Sequence, residues 1–384
     1  MTTSTDSPLT AREQLENGNK FKLGLFGYNV SNGLSFTSAP TSHEITWEHS
    51  AAISRLADRS GIDLLIPVAR WRGLGGDTDP FAESFETMTW AAATAAETQH
   101  ITVVSTLHLT LTHPVTAAKQ VATIDHIAGG RYAFNAVMGW FAPDMVMFGQ
   151  RMLDHDTRYR YGAEWMTIVK RIWASDEPFD FDGEFFQLNE VQSLPKPLQT
   201  PFPPILNAGG SPSGVDFAAR EADYNFAIVN DLESGAEHVA HAKKLARDTY
   251  GRRLSPLSDG FVVCRETEKE ARAVIDQMLE MADRPAAENF LREFGVGSGS
   301  LSEEMRQLVD RGIVGLGGPQ FVGTPDQVAE GMKAMYDIGV EGVVFGMLDY
   351  LEELPYFVKH VLPRLEEMGV REPFEARVPA VAAA

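Results

Sequence analysis

The sequence predicts a (β/α)8 barrel, and three observations carry the prediction. Eight short apolar, β-branched segments are spaced along the 384-residue chain with helical patterns between them. The stretch from Ile101 to Trp140 fits strand, helix and strand into about forty residues, a βαβ unit of the kind that builds parallel sheets. No GxGxxG follows the first strand, which counts against the rival architecture, an open doubly wound sheet holding a dinucleotide.

The elements follow in order. FKLGLFGY, from Phe21, is the first strand, and a long loop over 29–42 leads to a helix over 47–60. IDLLIPVA, from Ile62, is the second; RWRGLGGDTDPFAESF after it is too polar and Gly-rich for sheet and leads into a helix over 86–97. The third strand is 101–106. Pro114 suits a first helical turn, where its missing N–H costs nothing. Val115, Ala118, Val121, Ala122 and Ile124 then share one face until Gly129-Gly130 ends the helix. The fourth strand is 131–137, and a helix over 157–173 carries Tyr161, Trp165, Ile168 and Ile172 on one side.

FDFDGEFFQLNEVQSLPKP alternates about a DG turn and reads as an inserted β-hairpin. PPILNAG, YNFAIVN, SDGFVVCRE and VEGVVFGM supply strands five to eight, with helices over 213–221, 233–250, 268–281 and 350–368. Between the seventh helix and the eighth strand lie some fifty residues, including GVGSGSLSEE and GIVGLGGPQFVGTP. A connection this long is read as a mobile, lid-like insertion at the barrel's C-terminal mouth, with Thr324 and Pro325 restarting an ordered helix. Residues 1–20 are expected to be disordered, 21–370 to form a single TIM-barrel domain, and 371–384 to be a flexible tail.

Composition narrows the function. A formal charge of −20 argues against nucleic acid or an anionic membrane as partner, because both need concentrated Lys and Arg. The N-terminal twenty residues lack the apolar core of a signal peptide, and no run reaches the ~18 apolar residues that cross a bilayer. A cytoplasmic location is therefore expected. The single cysteine, Cys264, lies in an apolar run and reads as a buried thiol. Ten histidines show no HExxH spacing, so no metal site is expected, and no nucleophile elbow surrounds a GxS string.

In such a barrel the reactive groups follow the C-terminal ends of the strands. That selects Ala69, Arg70 and Trp71 after strand two, Thr106 and His108 after strand three, Asn135 and Trp140 after strand four, and Gly210 and Ser211 after strand five. GGSPSG can cradle an anion with backbone N–H groups, or it can be a plain turn with Ser211 as N-cap. Arg158 and Tyr159 start a helix where an Arg can pair with a phosphate or simply face water. Trp71 and Trp140 suit either a ligand wall or packing. Tyr28, Asn29, Phe36, Trp71, Trp140 and the insertion are the expected substrate walls.

HPVTAAKQVATIDHIAGGRYAFNAVMGW, HDTRYRYGAEW, the FDGEFF hairpin and PPILNAGGS, in this order, resemble the bacterial luciferase-like flavin monooxygenases. RWRGLGGDT and FNAVMGWFAPD are most similar to the branch of that family acting on pyrimidines, dimethyl sulfone and dibenzothiophene sulfone. The resemblance implies a two-component monooxygenase that uses O2 and reduced FMN, with NAD(P)H acting indirectly through a separate flavin reductase. It implies FMN contacts from Ala69, Arg70, Asn135, Asp144, Arg158, Tyr159, Gly210 and Ser211, with Asp144 standing where the branch carries a longer Glu. Thr106 and Asn135 match the pair that holds O2 at the flavin's nitrogen-5 edge, which implies a nitrogen-5 peroxide rather than a carbon-4a adduct. His108, and less so His113, are then candidate acid–base groups near a small substrate such as an N-heterocycle or a sulfone. The alternatives on the same barrel are an F420-dependent oxidoreductase and a non-catalytic luciferase-like subunit. The family resemblance also implies a homodimer or homotetramer.

Overall fold

The computed structural model describes residues 9–227, 229, 231–293 and 303–374. Its strands are β1 (Lys22–Phe26), β2 (Leu64–Ile66), β3 (Thr102–His108), β4 (Tyr132–Val137), β5 (Phe179–Asp182), β6 (Gln187–Val191), β7 (Ile205–Asn207), β8 (Tyr224–Phe226), β9 (Ser255–Cys264), β10 (Gln320–Gly323) and β11 (Gly342–Gly346). Strands β1, β2, β3, β4, β7, β8, β9 and β11 pair in parallel and close on themselves through β8–β9, giving the expected (β/α)8 barrel. β5 and β6 form the antiparallel hairpin. Its turn is fixed to the helix His155–Ala174 by one carboxylate: Glu164 accepts from the N–H groups of Glu184, Phe185 and Phe186 at 2.7–3.0 Å.

The strands are short because their ends are chemically marked. Gly27, at φ +79°, ends β1, and Pro67, which has no N–H, ends the ladder of β2. Asn29 then takes over as a substitute rung. Its side-chain amide donates to the Val68 carbonyl and its oxygen accepts from the Val68 N–H, both at 2.8 Å.

The registers fix which side chains meet inside the barrel. One route round the cylinder runs Thr106, Asn135, Leu206, Tyr224, Ser255, and the other runs Thr102, Leu64, Gly24, Val344, Asp259. They start four residues apart on β3 and end four apart on β9, so the total stagger is eight, the value for an eight-stranded barrel whose interior is stacked in layers. Leu64, Ile66, Val104, Ala133, Leu206, Leu257 and Val344 fill the lower layers. Above them, at one height, come Phe26, Thr106 and Asp259 on β1, β3 and β9.

Four expectations need correction. Within residues 1–20, Ala11–Leu15 is a helix with a Thr10–Glu13 capping box and two buried side chains, Ala11 and Leu15; residues 1–8 lie outside the described residues. The tail begins later than 371, because Arg371 is buried and donates to Asp63 and to the carbonyls of Phe21 and Gly61; residues 375–384 lie outside the described residues. The helix expected over 350–368 is two, Tyr350–His360 and Leu362–Glu367, because Pro363 starts the second.

The fourth concerns the insertion. Much of GVGSGSLSEE lies outside the described residues, but the rest is regular structure rather than a bare loop: helices Arg284–Glu293 and Glu303–Ile313, a single 3-10 turn, and β10, which adds to β9 outside the cylinder. Phe36, Phe81, Phe141, Phe261, Phe290 and Ile313 give this part its own apolar cluster beside the mouth.

Candidate active site

The alternation of β3 and β4 turns Val103 and Phe134 to the helices and aims Thr106 and Asn135 inward. Asn135 Nδ2 lies 3.4 Å from Thr106 Oγ1, which in turn donates to the Pro67 carbonyl at 2.7 Å. Asn135 Oδ1 is buried and has no hydrogen-bond partner. An unpaired buried acceptor is costly, so this oxygen awaits a donor.

Ala69, Arg70, Trp71, Thr106, His108 and Phe148 line one cavity at this end of the barrel. Arg70 is buried, its guanidinium 4.3 Å from the Trp140 ring and 3.6 Å from Asp144. Burial lowers its pKa to about 10, with Asp144 opposing the shift. Burial pushes the Asp144 carboxyl up, Arg70 pulling it back. Burial, and then Arg70, depresses the His108 pKa to about 3, so the imidazole is neutral at physiological pH and offers a hydrogen bond rather than an acidic proton.

Asp144, expected to contact FMN, has no exposed surface. It receives the Trp71 N–H at 3.2 Å and faces Arg70, so its place is behind the site, orienting the loop after β2.

A second group sits at the end of β7. Gly209 and Gly214 cross so closely that a Cβ on either would come within 2.7 Å of the other's Cα, which is why both are glycine. Ser211 caps the helix Pro212–Glu221, accepting from the Gly214 N–H at 3.1 Å, and its hydroxyl lies 2.9 Å from His155 Nε2. The Tyr159 hydroxyl reaches the same serine. Arg158 donates to the Gly139 carbonyl, which turns it toward the loop after β4, while its Nε is buried and unpartnered. His155 escaped the sequence reading. Its neighbour Asp154 is a good N-cap, so the position looked like an ordinary helix start.

Three of the expected substrate walls are elsewhere. The Tyr28 hydroxyl bonds Ser54 at 2.9 Å, and its ring packs on Trp90 and Tyr350 in the outer helical layer. Asn29 is the rung described above. Phe36 has no exposed surface and packs on Phe81 and Phe290. His113 is an N-cap, its Nδ1 accepting from the Val115 N–H at 3.3 Å. Trp71 lies 43% exposed against Phe148, at the rim of the cavity.

The luciferase-like monooxygenase family model matches residues 26–342. The chain belongs to that family. It is 34% identical to an FMNH2-dependent dimethylsulfone monooxygenase of Pseudomonas putida, over 88% of this chain and 94% of the relative. It is 27% identical to a pyrimidine monooxygenase of Variovorax paradoxus (strain S110), over 93% and 98%. A long-chain alkane monooxygenase superposes with a TM-score of 0.82 at 20% identity, covering 92% of this chain and 93% of the other, which speaks for the fold. As a member of this family the chain is an oxidoreductase. Among the described residues no helix is long and apolar enough to cross a membrane, and no cluster of His, Cys, Asp and Glu could hold a metal ion.

Proposed function

We propose that this family member is the oxygenating half of a two-component cytoplasmic system, taking reduced FMN from a separate NAD(P)H-dependent flavin reductase and using O2 to oxygenate and cleave a small organic molecule. The observation that carries the reading is the orphaned Asn135 Oδ1, beside Thr106 in the mouth of the barrel. A reduced flavin carries an N–H at its central ring and would satisfy that oxygen, whereas the oxidised ring has only an acceptor there. The residues fit the rest of the group. Beside the Gly209–Gly214 crossing, the Ser211 and Tyr159 hydroxyls and the Arg158 guanidinium offer donors to a phosphate, and Ala69 with Arg70 forms the cavity wall along which a planar ring can lie.

When bound, reduced FMN supplies the electrons that activate O2; the protein holds and shields it. Asn135 and Thr106 form a neutral, non-titrating pair for a small polar oxygen species. His108, held neutral, can orient a substrate by hydrogen bonding.

The two relatives act, by name, on a sulfone and on pyrimidines, and both remain within the proposed substrate class. Assembly into a homodimer or homotetramer is part of the same proposal. The test supplies purified protein with a reductase, FMN, NADH and O2, and follows substrate-dependent oxygen uptake and product mass over heterocycles and sulfones. Absence of FMN binding together with no oxygenation of any compound sinks the reading. Hydride transfer with reduced F420 and no oxygen uptake would assign the rival class.

A further inference from the structure

Asp259 lies inside the barrel, and nothing in the site described so far uses it. Its direction follows from alternation on β9: Val262 and Cys264 pack into the helical layer, Leu257 packs into the barrel interior, and Asp259 shares the parity of Leu257. Its height follows from the registers, which put it level with Thr106 and four strands away. Thr106 on β3 and Asp259 on β9 therefore face each other across the mouth. Among the described residues no cation pairs with the carboxylate and no other side chain hydrogen-bonds it; its one partner is its own backbone N–H, and it is half-buried. Among the described residues of the insertion, Gly318 is the one shown beside it, and it offers no free donor. A Cβ on Gly318 would come within 3.0 Å of both carboxylate oxygens, and the Gly318 N–H is already bound to the Gly315 carbonyl. A half-buried carboxylate on the inner wall, held only by its own backbone N–H and facing the proposed flavin contacts, is a group kept for a ligand.

We propose that Asp259 contacts the substrate and reads a hydrogen-bond donor on it, so that the preferred substrates carry a polar N–H on the side turned away from Thr106 and Asn135. This rests on the proposed use of the mouth as the site of oxygenation and narrows its substrate class. A carboxylate accepts and does not donate, and charge-assisted acceptance from N–H is stronger than a neutral bond. A molecule with acceptors only, such as a sulfone, presents oxygen to oxygen there. The donor class is therefore favoured over the sulfone class at neutral pH.

The experiment uses the full chain with FMN and compares matched probes: uracil, hydantoin and 2-pyridone against 1,3-dimethyluracil, 1,3-dimethylhydantoin and N-methyl-2-pyridone, with dimethyl sulfone as the acceptor-only member. Binding is read by isothermal titration and ligand-induced thermal shift, turnover by reductase-coupled oxygen uptake. At least one N–H probe should bind about tenfold or more tighter than its methylated twin. Asp259→Ala should erase that preference, and Asp259→Asn, which keeps one acceptor, should restore part of it. FMN affinity should stay unchanged in both variants. In turnover the loss should fall on KM rather than kcat. Equal binding of the twins, tighter binding of the sulfone, binding of none of the N–H probes, or an unaltered preference in Asp259→Ala would each overturn the proposal. Failure of the proposed function is seen separately, as loss of FMN binding or of oxygen uptake in the wild-type protein, while the titrations still report on Asp259.

Discussion

Asp144 and Arg70 offer the most quantitative test of how the mouth is held. Both are buried, Asp144 fully, and their charged atoms lie 3.6 Å apart with Trp140 covering the guanidinium at 4.3 Å. Removing one partner of a buried pair strands the other charge, at a cost of ~3–5 kcal/mol. Asp144→Leu should reach that range, since it also takes away the acceptor of the Trp71 N–H. With an unfolding entropy of about 2.1 cal/mol/K per residue over a chain this long, each kcal/mol moves Tm by roughly 1.2 °C. The single variant should therefore melt about 4–6 °C lower in a calorimetric scan, with a matching fall in the urea midpoint. Replacing both residues, Asp144→Leu with Arg70→Met, removes the stranded charge and should recover much of the loss, giving a coupling of about 2 kcal/mol or more. A loss under about 1 kcal/mol for Asp144→Leu, or strict additivity in the double variant, would refute the argument that Asp144 serves Arg70 rather than a ligand.

Asn135→Ala should leave circular dichroism and Tm close to wild type while abolishing flavin-supported oxygenation; unchanged turnover would discredit its role. Arg158→Ala should weaken FMN binding by ~1–3 kcal/mol, a roughly 5- to 150-fold rise in Kd by fluorescence titration, as loss of a charge-assisted contact does, and equal affinity would contradict it. Burial lifts the Asp259 pKa from 3.8 to about 6, so ionising it costs the folded state more than the unfolded one. The penalty is absent well below pH 3.8, grows between 3.8 and 6, and is complete above 6. Asp259→Asn should thus be more stable than wild type at pH 7.5, by at most ~3 kcal/mol and less given its partial exposure, with a smaller gap at pH 5. The same gap at both pH values would rule out the carboxyl as its cause.

The barrel was legible because its strands are buried on both faces and read as continuous apolar runs, while Pro, Gly and capping residues mark the ends of the helices between them. That Thr106 and Asn135 would come together was legible for a related reason, as polar side chains near the C-terminal ends of such runs; the structure places them 3.4 Å apart. Tyr28, Asn29 and Phe36 misled because distance along the chain from a strand end does not say which way a side chain turns. Gly27 at positive φ re-aims the chain immediately before the first two. β10 and the helices beside it were hidden by glycines that suggested a loop. Asp259 carried a signal too: an acid between Leu257 and the apolar run Phe261–Cys264, in a parallel strand with helices packed on its outer face, has no solvated face to occupy and points into the barrel.

Asn29 gives one side chain the job of a peptide unit. Where proline silences the backbone, a carboxamide continues the pairing for one more step, and the segment bearing Ala69 and Arg70 hangs from that step. Hydrolysis of this amide with age would replace an N–H by a second oxygen, 2.8 Å from the Val68 carbonyl and with no donor to offer it. Slow chemical wear at this residue would then loosen the cavity wall from behind.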